Sequence, residues 1–281
     1  MKYHLSYSNE LKCKKHLLKA ICVILIASFA ISSCKKELQV STPEEISKET
    51  ITKISNLGFN TSNVQLTEGG YLVEGDIFLT EANLNERPNS PKLRIAKEEQ
   101  YRTFNLVNGG PQTIIIKTTG KISKNLSAGI DEAIARYNAE DLQLSFQRGG
   151  RKTNNTININ QVNTNQYIAS AGFPSAAGDP YTQIKFSSVF QDYSIEFIAT
   201  VIAHEIGHCI GFRHTDYMNR SFSCGGANVN EREDTYGVGA VHLPGTPSEP
   251  DAASWMLSCL SATTNRPFNQ NDKIALGYLY K

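Results

Sequence analysis

The sequence predicts an α/β or α+β domain of about 170 residues, an ordinary domain size. Three observations lead there: short apolar runs that alternate with a period of two, apolar residues at helical spacing between them, and punctuation by glycine and capping residues. From Pro111 onward, "QTIIIKTTG" is rich in β-branched residues and predicts a strand. "LSAGIDEAIARYNAED" places Leu126, Ile130, Ala133, Ile134 and Tyr137 on one helical face and predicts a helix of about 12 residues. "LQLSFQR" and "NTININQV" alternate apolar and polar side chains, and "YTQIKFSSV" reads as a further strand. "SIEFIATVIAHEIGHCIG" is a second, longer helix, with Ser194 as its N-cap and Gly211 where a left-handed turn ends it. A loop-rich stretch from Phe212 to Ala253 comes next, and "NQNDKIALGYLYK" closes the chain as a short helix.

Upstream of Pro111 the composition differs. Lys2, Lys12, Lys14, Lys15 and Lys19 precede an uncharged apolar stretch of 14 residues, Ala20 to Ser33. A membrane-spanning helix needs about 20 residues, so this is the apolar part of a secretory signal. It ends in "ISSC", which resembles a bacterial lipobox. That resemblance implies that residues 1–33 are a lipoprotein signal peptide and that Cys34 becomes the lipidated first residue. The other readings are an ordinary signal peptide or a signal anchor. Several acyl chains on one residue hold a protein firmly to a membrane. Because Lys35, not aspartate, comes after the cysteine, analogy with bacterial lipoproteins favours the outer membrane or cell surface, with release after processing as a variant. Residues 34–110 read as a tether and candidate pro-region. Within them 35–50 are polar, "GYLVEGDIFL" suggests short strands, and 85–100 are charged with Pro88 and Pro91, as in an exposed connection.

The 28 basic and 27 acidic side chains leave a formal charge of +1, which gives no electrostatic case for nucleic acid. A monomer is expected. Of the six cysteines, Cys13 and Cys22 leave with the signal and Cys34 carries lipid; Cys209, Cys224 and Cys259 remain. Export permits one disulfide. Sequence alone allows three pairings. Cys209 lies in a helix as a small buried residue, which favours Cys224 with Cys259.

"HEIGHCIGFRH", His204 to His214, carries the chemistry. His204 and His208 are four residues apart and therefore share a helix face. Two imidazoles there can reach one ion at about 2.0–2.1 Å. Glu205 lies between them, displaced round the helix, and is free to act as a base over an open coordination position. Gly207 inside a helix costs roughly 1 kcal/mol against alanine, which points to close approach by another segment. Gly211 turns the chain out of the helix and returns His214 as a third ligand. Three nitrogens plus one solvent position describe a catalytic Zn2+ site and not a closed structural one.

The full spacing, His-Glu-x-x-His-x-x-Gly-x-x-His with a later methionine, resembles the metzincin zinc peptidases. "HEIGH", "HTDY", "GAVHLPGTP" and "SWMLSC" together resemble the dual-action HEIGH metallo-peptidase family, over about Pro111 to Lys281. The resemblance implies a metzincin-like zincin with a twisted mixed sheet, an active-site helix and a small C-terminal subdomain carrying a Met-turn. Met256 matches the methionine that supports the metal from below, and "TQIKFSS" matches the edge strand that a substrate peptide would extend. Astacins and serralysins carry a tyrosine ligand two residues after that methionine; Ser258 stands here, so no tyrosine ligand is assigned. Asp216 either anchors a ligand's second nitrogen or fixes the loop, and His242 is expected to be a solvated or packed loop histidine, the alternative being a donor to a developing oxyanion.

"VEGDI", Val73 to Ile77, resembles the astacin pro-region segment whose aspartate fills the open site, with Val73 where those regions have phenylalanine. Asp76 is thereby a candidate latent-state zinc ligand. The expected function is a zinc-dependent endopeptidase acting on polypeptides, exported as a lipid-anchored, latent precursor. Two rivals are a non-catalytic surface binding or adhesion lipoprotein on a zincin scaffold, against which the intact Glu205 weighs, and a zinc hydrolase of a non-peptide amide.

Overall fold

The computed structural model describes residues 45–85, 100–228, 230, 240–247 and 249–281. The signal stretch, Cys34, most of the tether and most of the charged connection at 85–100 lie outside them. Residues Glu45–Lys281 form one compact unit. Among the described residues no helix is long and apolar enough to cross a membrane.

The chain enters this unit through helix α1 (Lys48–Asn56), earlier than the polar composition at 35–50 suggests. Ser47 caps it by accepting from Thr50 N, and Ile54 supplies its fully buried anchor. Three short antiparallel strands come next, β1 (Gln65–Thr67), β2 (Gly70–Val73) and β3 (Ile77–Leu79), and then the single-turn helix α2 (Glu81–Leu84). Ile54, Leu57, Phe59, Val73, Ile77, Leu79 and Leu84 make a small core that Phe173, from far along the chain, completes. Burying an isoleucine such as Ile77 contributes about 1.5–3 kcal/mol. A small upstream core therefore commits these residues to the rest of the molecule.

The main sheet contains β5 (Gln112–Thr118), β6 (Leu144–Arg148), β7 (Thr156–Val162), β8 (Ala169–Ser170) and β9 (Gln183–Ser187), in the order β6-β5-β7-β9-β8. The first four in that order run parallel, and β8 is antiparallel to β9. This corrects one expectation. "TQIKFSS" is an interior strand, and the edge belongs to β8, a two-residue strand too short to leave an alternating pattern. Its burial pattern agrees, since Ile184 to Ser187 are all buried.

Two helices cover one layer. Helix α3 (Lys124–Asn138) is 15 residues long; it starts before the periodic apolar residues because Ser123 accepts from Leu126 N. Helix α4 (Ile195–Ile210) is capped by Ser194, and every residue from Phe197 to Ile210 is buried. A helix apolar on nearly all faces belongs in the centre of a fold, and α4 packs there between the sheet, α3 and the closing helix. Four minor elements complete the chain: β4 (Tyr101–Arg102), helix α5 (Ser221–Cys224), β10 (Val241–His242) paired antiparallel with β4, and helix α6 (Gln270–Tyr280). Residues Gln100, Tyr101, Thr103 and Val107 are buried, and Thr103 N donates to Gly211 O. The stretch just before β5 is thus woven against the end of α4.

Candidate metal centre

Helix α4 presents His204 and His208 one turn apart, with ring centroids 4.7 Å from each other. Each ring is fixed from behind. His204 Nδ1 lies 2.8 Å from Trp255 O, and His208 Nδ1 lies 2.8 Å from Phe212 O. A carbonyl only accepts, so each Nδ1 carries the proton and each Nε2 keeps its lone pair. Gly211 ends the helix at φ 116°, and Phe212 N donates back to Gly207 O, which reverses the chain. His214 Nε2 then comes to 3.2 Å from His208 Nε2.

A fourth group arrives from the upstream segment. Asp76 Oδ2 lies 3.0 Å from His214 Nε2 and 3.5 Å from His204 Nε2. One ligand atom from each of Asp76, His204, His208 and His214 falls within 4.8 Å of the others. Ligands bonded at about 2.0–2.1 Å at tetrahedral angles stand about 3.3 Å apart, a value the observed separations bracket. The buried atoms His204 Nε2, Asp76 Oδ1 and Glu205 Oε2 make no hydrogen bond. Convergent lone pairs in a dry site repel one another unless a cation lies between them. The residues present fit a zinc ion.

The turn that delivers Asp76 is tight, with Glu74 at φ 51° and Gly75 at φ 90°. It sends two carboxylates the same way. Glu74 Oε2 lies 3.0 Å from Arg213 Nη1, both side chains being 1% exposed. Glu74 Oε1 accepts from Asn60 N at 3.0 Å, and Arg220 donates to Glu74 O. Beyond the turn, Ile77 pairs in parallel with Ala171, just past β8; Phe78 N donates to Ala171 O, and Ala171 N to Asp76 O.

The supports below the histidines come from one loop. A Cβ on Gly207 would lie 2.5 Å from Met256 Sδ and 3.1 Å from Trp255 Nε1, so the missing side chain is the space Met256 fills. Thr215 N donates to Met256 O, which ties the His214 segment to the same loop. Trp255, fully buried, donates through Nε1 to Tyr137 Oη and Ala203 O, while its N–H donates to Asp272 Oδ2. Asp272 also accepts from Gln100 Nε2, Ser254 Oγ and Asn269 N. Asp216 fixes the loop: Oδ1 accepts from Ser258 N and Oγ, and Oδ2 from Ser223 Oγ. Cys224 and Cys259 are joined in a disulfide beside it, and Cys209 is buried and free.

Burial alone would raise the Asp76 carboxyl. The facing imidazoles of His214 and His204 outweigh burial and hold it well below the usual range. Glu205 moves the other way, pushed well up by burial and then by the Asp76 charge, with His214 opposing. Burial, reinforced by His204 and His214, lowers His208 and favours the neutral ring a metal requires.

The structure brings His204, His208, His214 and Asp76 together, with Glu205 buried next to His204 in α4 and Met256 beneath. Cys34 lies outside the described residues. His242 Nε2 is 2.9 Å from Thr246 Oγ1, in the β10 loop. Sequence reasoning missed Glu74, Arg213, Trp255 and Asp272. The only signals for the first two were an acidic residue two before Asp76 and an arginine inside an otherwise apolar turn.

The structure of myroilysin is similar at 13% identity, covering 64% of this chain and 98% of that one, with a TM-score of 0.43. High choriolytic enzyme 1, a hatching enzyme zinc-protease from Oryzias latipes, is similar at 15% identity over 59% of this chain and 88% of that one, with a TM-score of 0.33. No curated protein matches. The model of a family described as dual-action HEIGH metallo-peptidase matches residues 71–280, a span that takes in Asp76 as well as the three histidines. With a match over most of its length, the chain belongs to the dual-action HEIGH metallo-peptidase family, and so to the zinc-dependent endopeptidases.

Proposed function

We propose that His204, His208 and His214 hold the zinc ion, that Glu205 is the general base, and that Asp76 closes the site in the full chain. The observation that supports this reading best is the convergence of four ligand atoms within 4.8 Å, two of the imidazoles being fixed from behind by main-chain carbonyls. Zinc, when bound, lowers the pKa of water to about 7 and polarises a carbonyl. Glu205 takes the proton from the attacking water at its carboxylate and returns it to the leaving amine. His204 and His208 keep their donor tautomers through Trp255 O and Phe212 O, and Met256 sets the height of the helix under them.

Asp76 competes for the position that water needs. Its carboxylate is held by its own contact with His214, by Ile77 pairing with Ala171 and by Glu74 on Arg213, so the latch is supported by three separate contacts. The substrate is a polypeptide, and the precursor is exported as a monomer, lipidated at Cys34 and directed to the outer membrane. Export and lipidation rest on "ISSC" and the apolar stretch before it, and the outer-membrane destination on Lys35. The test is casein cleavage by the zinc-loaded full chain, before and after limited proteolysis, with and without a chelator. Cleavage that rises on nicking and vanishes with chelation is expected. A chelator-insensitive rate would remove the assignment, and equal rates before and after nicking would remove the latch.

A further inference from the structure

Lys185 is a buried cation on the face of the main sheet opposite the helices. Its neighbours in β9, Ile184 and Phe186, join the core that α3 and α4 cover, and alternation along a strand turns Lys185 the other way. Only 8% of Lys185 is exposed. Its register partner in the border strand β8 is Ser170, whose side chain therefore shares that face. Past β8 lies the chain that carries Asp76. Ala171 N donates to Asp76 O, Phe78 N donates to Ala171 O, and Ile77 pairs with Ala171. Ile77 shares the face of Ala171, so Phe78 shares the face of Lys185, and its ring centroid stands 3.4 Å from Lys185 Nζ. The same ammonium donates to Glu68 O at 2.7 Å. Burial lowers its proton affinity, and the charge of Glu68 opposes this. Phe78 and Glu68 both belong to residues 45–85.

Phe78 shows that a side chain on a strand laid along β8 reaches Lys185 across Ser170. It stands two residues after Asp76, whose carboxylate lies among the three histidines. Two residues of extended chain span roughly 6–7 Å. A polypeptide that takes this border in place of residues 76–78 would present one side chain to the ammonium, close to the bond at the metal. A phenyl ring attracts a cation but offers it no acceptor oxygen. A carboxylate offers charge and acceptors together, and such hydrogen bonds are roughly twice as strong as neutral ones. An ammonium has three N–H donors to give. We infer that Lys185 is a specificity-determining residue, which selects polypeptides with an acidic side chain at that one position. Phe78 holds the position in the intact chain. The inference rests on the proposal that residues 45–85 shield the site, and it names the substrate class that the uncovered border takes.

The test uses the zinc-loaded full chain, nicked by limited proteolysis, and peptide pairs that differ only by glutamate or glutamine at each position in turn. A Glu-to-Gln ratio in kcat/KM of at least tenfold is expected at one position. Lys185→Gln should bring that ratio toward one, and Lys185→Arg, which keeps the charge, should retain most of it. Because each ratio is taken within a single protein, it does not depend on how much of a variant folds. A ratio near one at every position in the unmodified enzyme would overturn the proposal, and so would a preference that Lys185→Gln leaves unchanged. Cleavage of neither member of any pair would overturn the peptidase reading together with it. Equal rates for intact and nicked chain would strike the shielding reading on its own, and the ratio would still decide the role of Lys185.

Discussion

Asp76 Oδ2 and His214 Nε2 stand 3.0 Å apart although 138 residues separate them in the chain. That contact joins the upstream three-stranded sheet to the loop after α4, and under the proposed latch it takes the coordination direction that water would need. Asp76→Ala should therefore raise casein cleavage by the unprocessed chain about a hundredfold, equivalent to about 2.7 kcal/mol of preference for the closed state. Mass spectrometry of the same sample checks that the chain is still intact. An unprocessed variant no faster than its parent sinks the idea.

Glu205 has no other role visible in its surroundings: it is buried, and one of its oxygens makes no hydrogen bond. Glu205→Gln is expected to keep one zinc per chain by elemental analysis and to lose roughly 10²–10⁴ in kcat on peptides. Loss of zinc along with activity would instead assign it to holding the metal.

Gly207 gives a test of the floor beneath the ligands. Alanine gains about 1 kcal/mol of helix propensity, but a Cβ 2.5 Å from Met256 Sδ forces repacking that costs about 1–3 kcal/mol. Gly207→Ala should lower Tm by a few degrees and weaken zinc retention in competition with a chelator. Pairing it with Met256→Ala should recover part of the zinc retention, as the new methyl then meets space.

Asp272 sets a pH dependence. Burial pushes its carboxyl up to about 7 from 3.8, against the donors that surround it. A carboxyl raised on folding binds its proton more tightly in the native state, so its contribution to stability is complete below about pH 4 and is lost as pH rises toward 7. Urea unfolding at intervals across that window should show stability falling with pH, and Asp272→Asn should flatten the slope. The same variant should also disturb His204, because Asp272 holds Trp255 N and Trp255 O holds the ring.

Most of the main sheet was legible because β5, β6, β7 and β9 each carry at least five residues of apolar pattern. The capping residues Ser194 and Gly211 marked the ends of α4, since caps act locally and leave local signals. That His204 and His208 share one face was readable from spacing alone, because helix geometry fixes what i and i+4 can reach. What the sequence hid was long-range. Strand β8 is two residues long and exists only through its partner, so its place at the edge went to β9. Glu74 and Arg213 look like separate surface charges until folding brings two distant stretches of chain into one pair. Asp272 completes the capping box with Asn269, and its second duty toward Trp255 requires knowing where the Met256 loop returns.

Ile77 covers Ala171 only while the upstream segment stays in place. Once that neighbour is withdrawn, the main-chain donor and acceptor of Ala171 face water with nothing to satisfy them but solvent or another extended chain. A bare strand border is a template that accepts backbone without regard to side chains. Under the proposed processing, the nicked chain should bind unfolded polypeptides, copies of itself included, more tightly than the intact chain does.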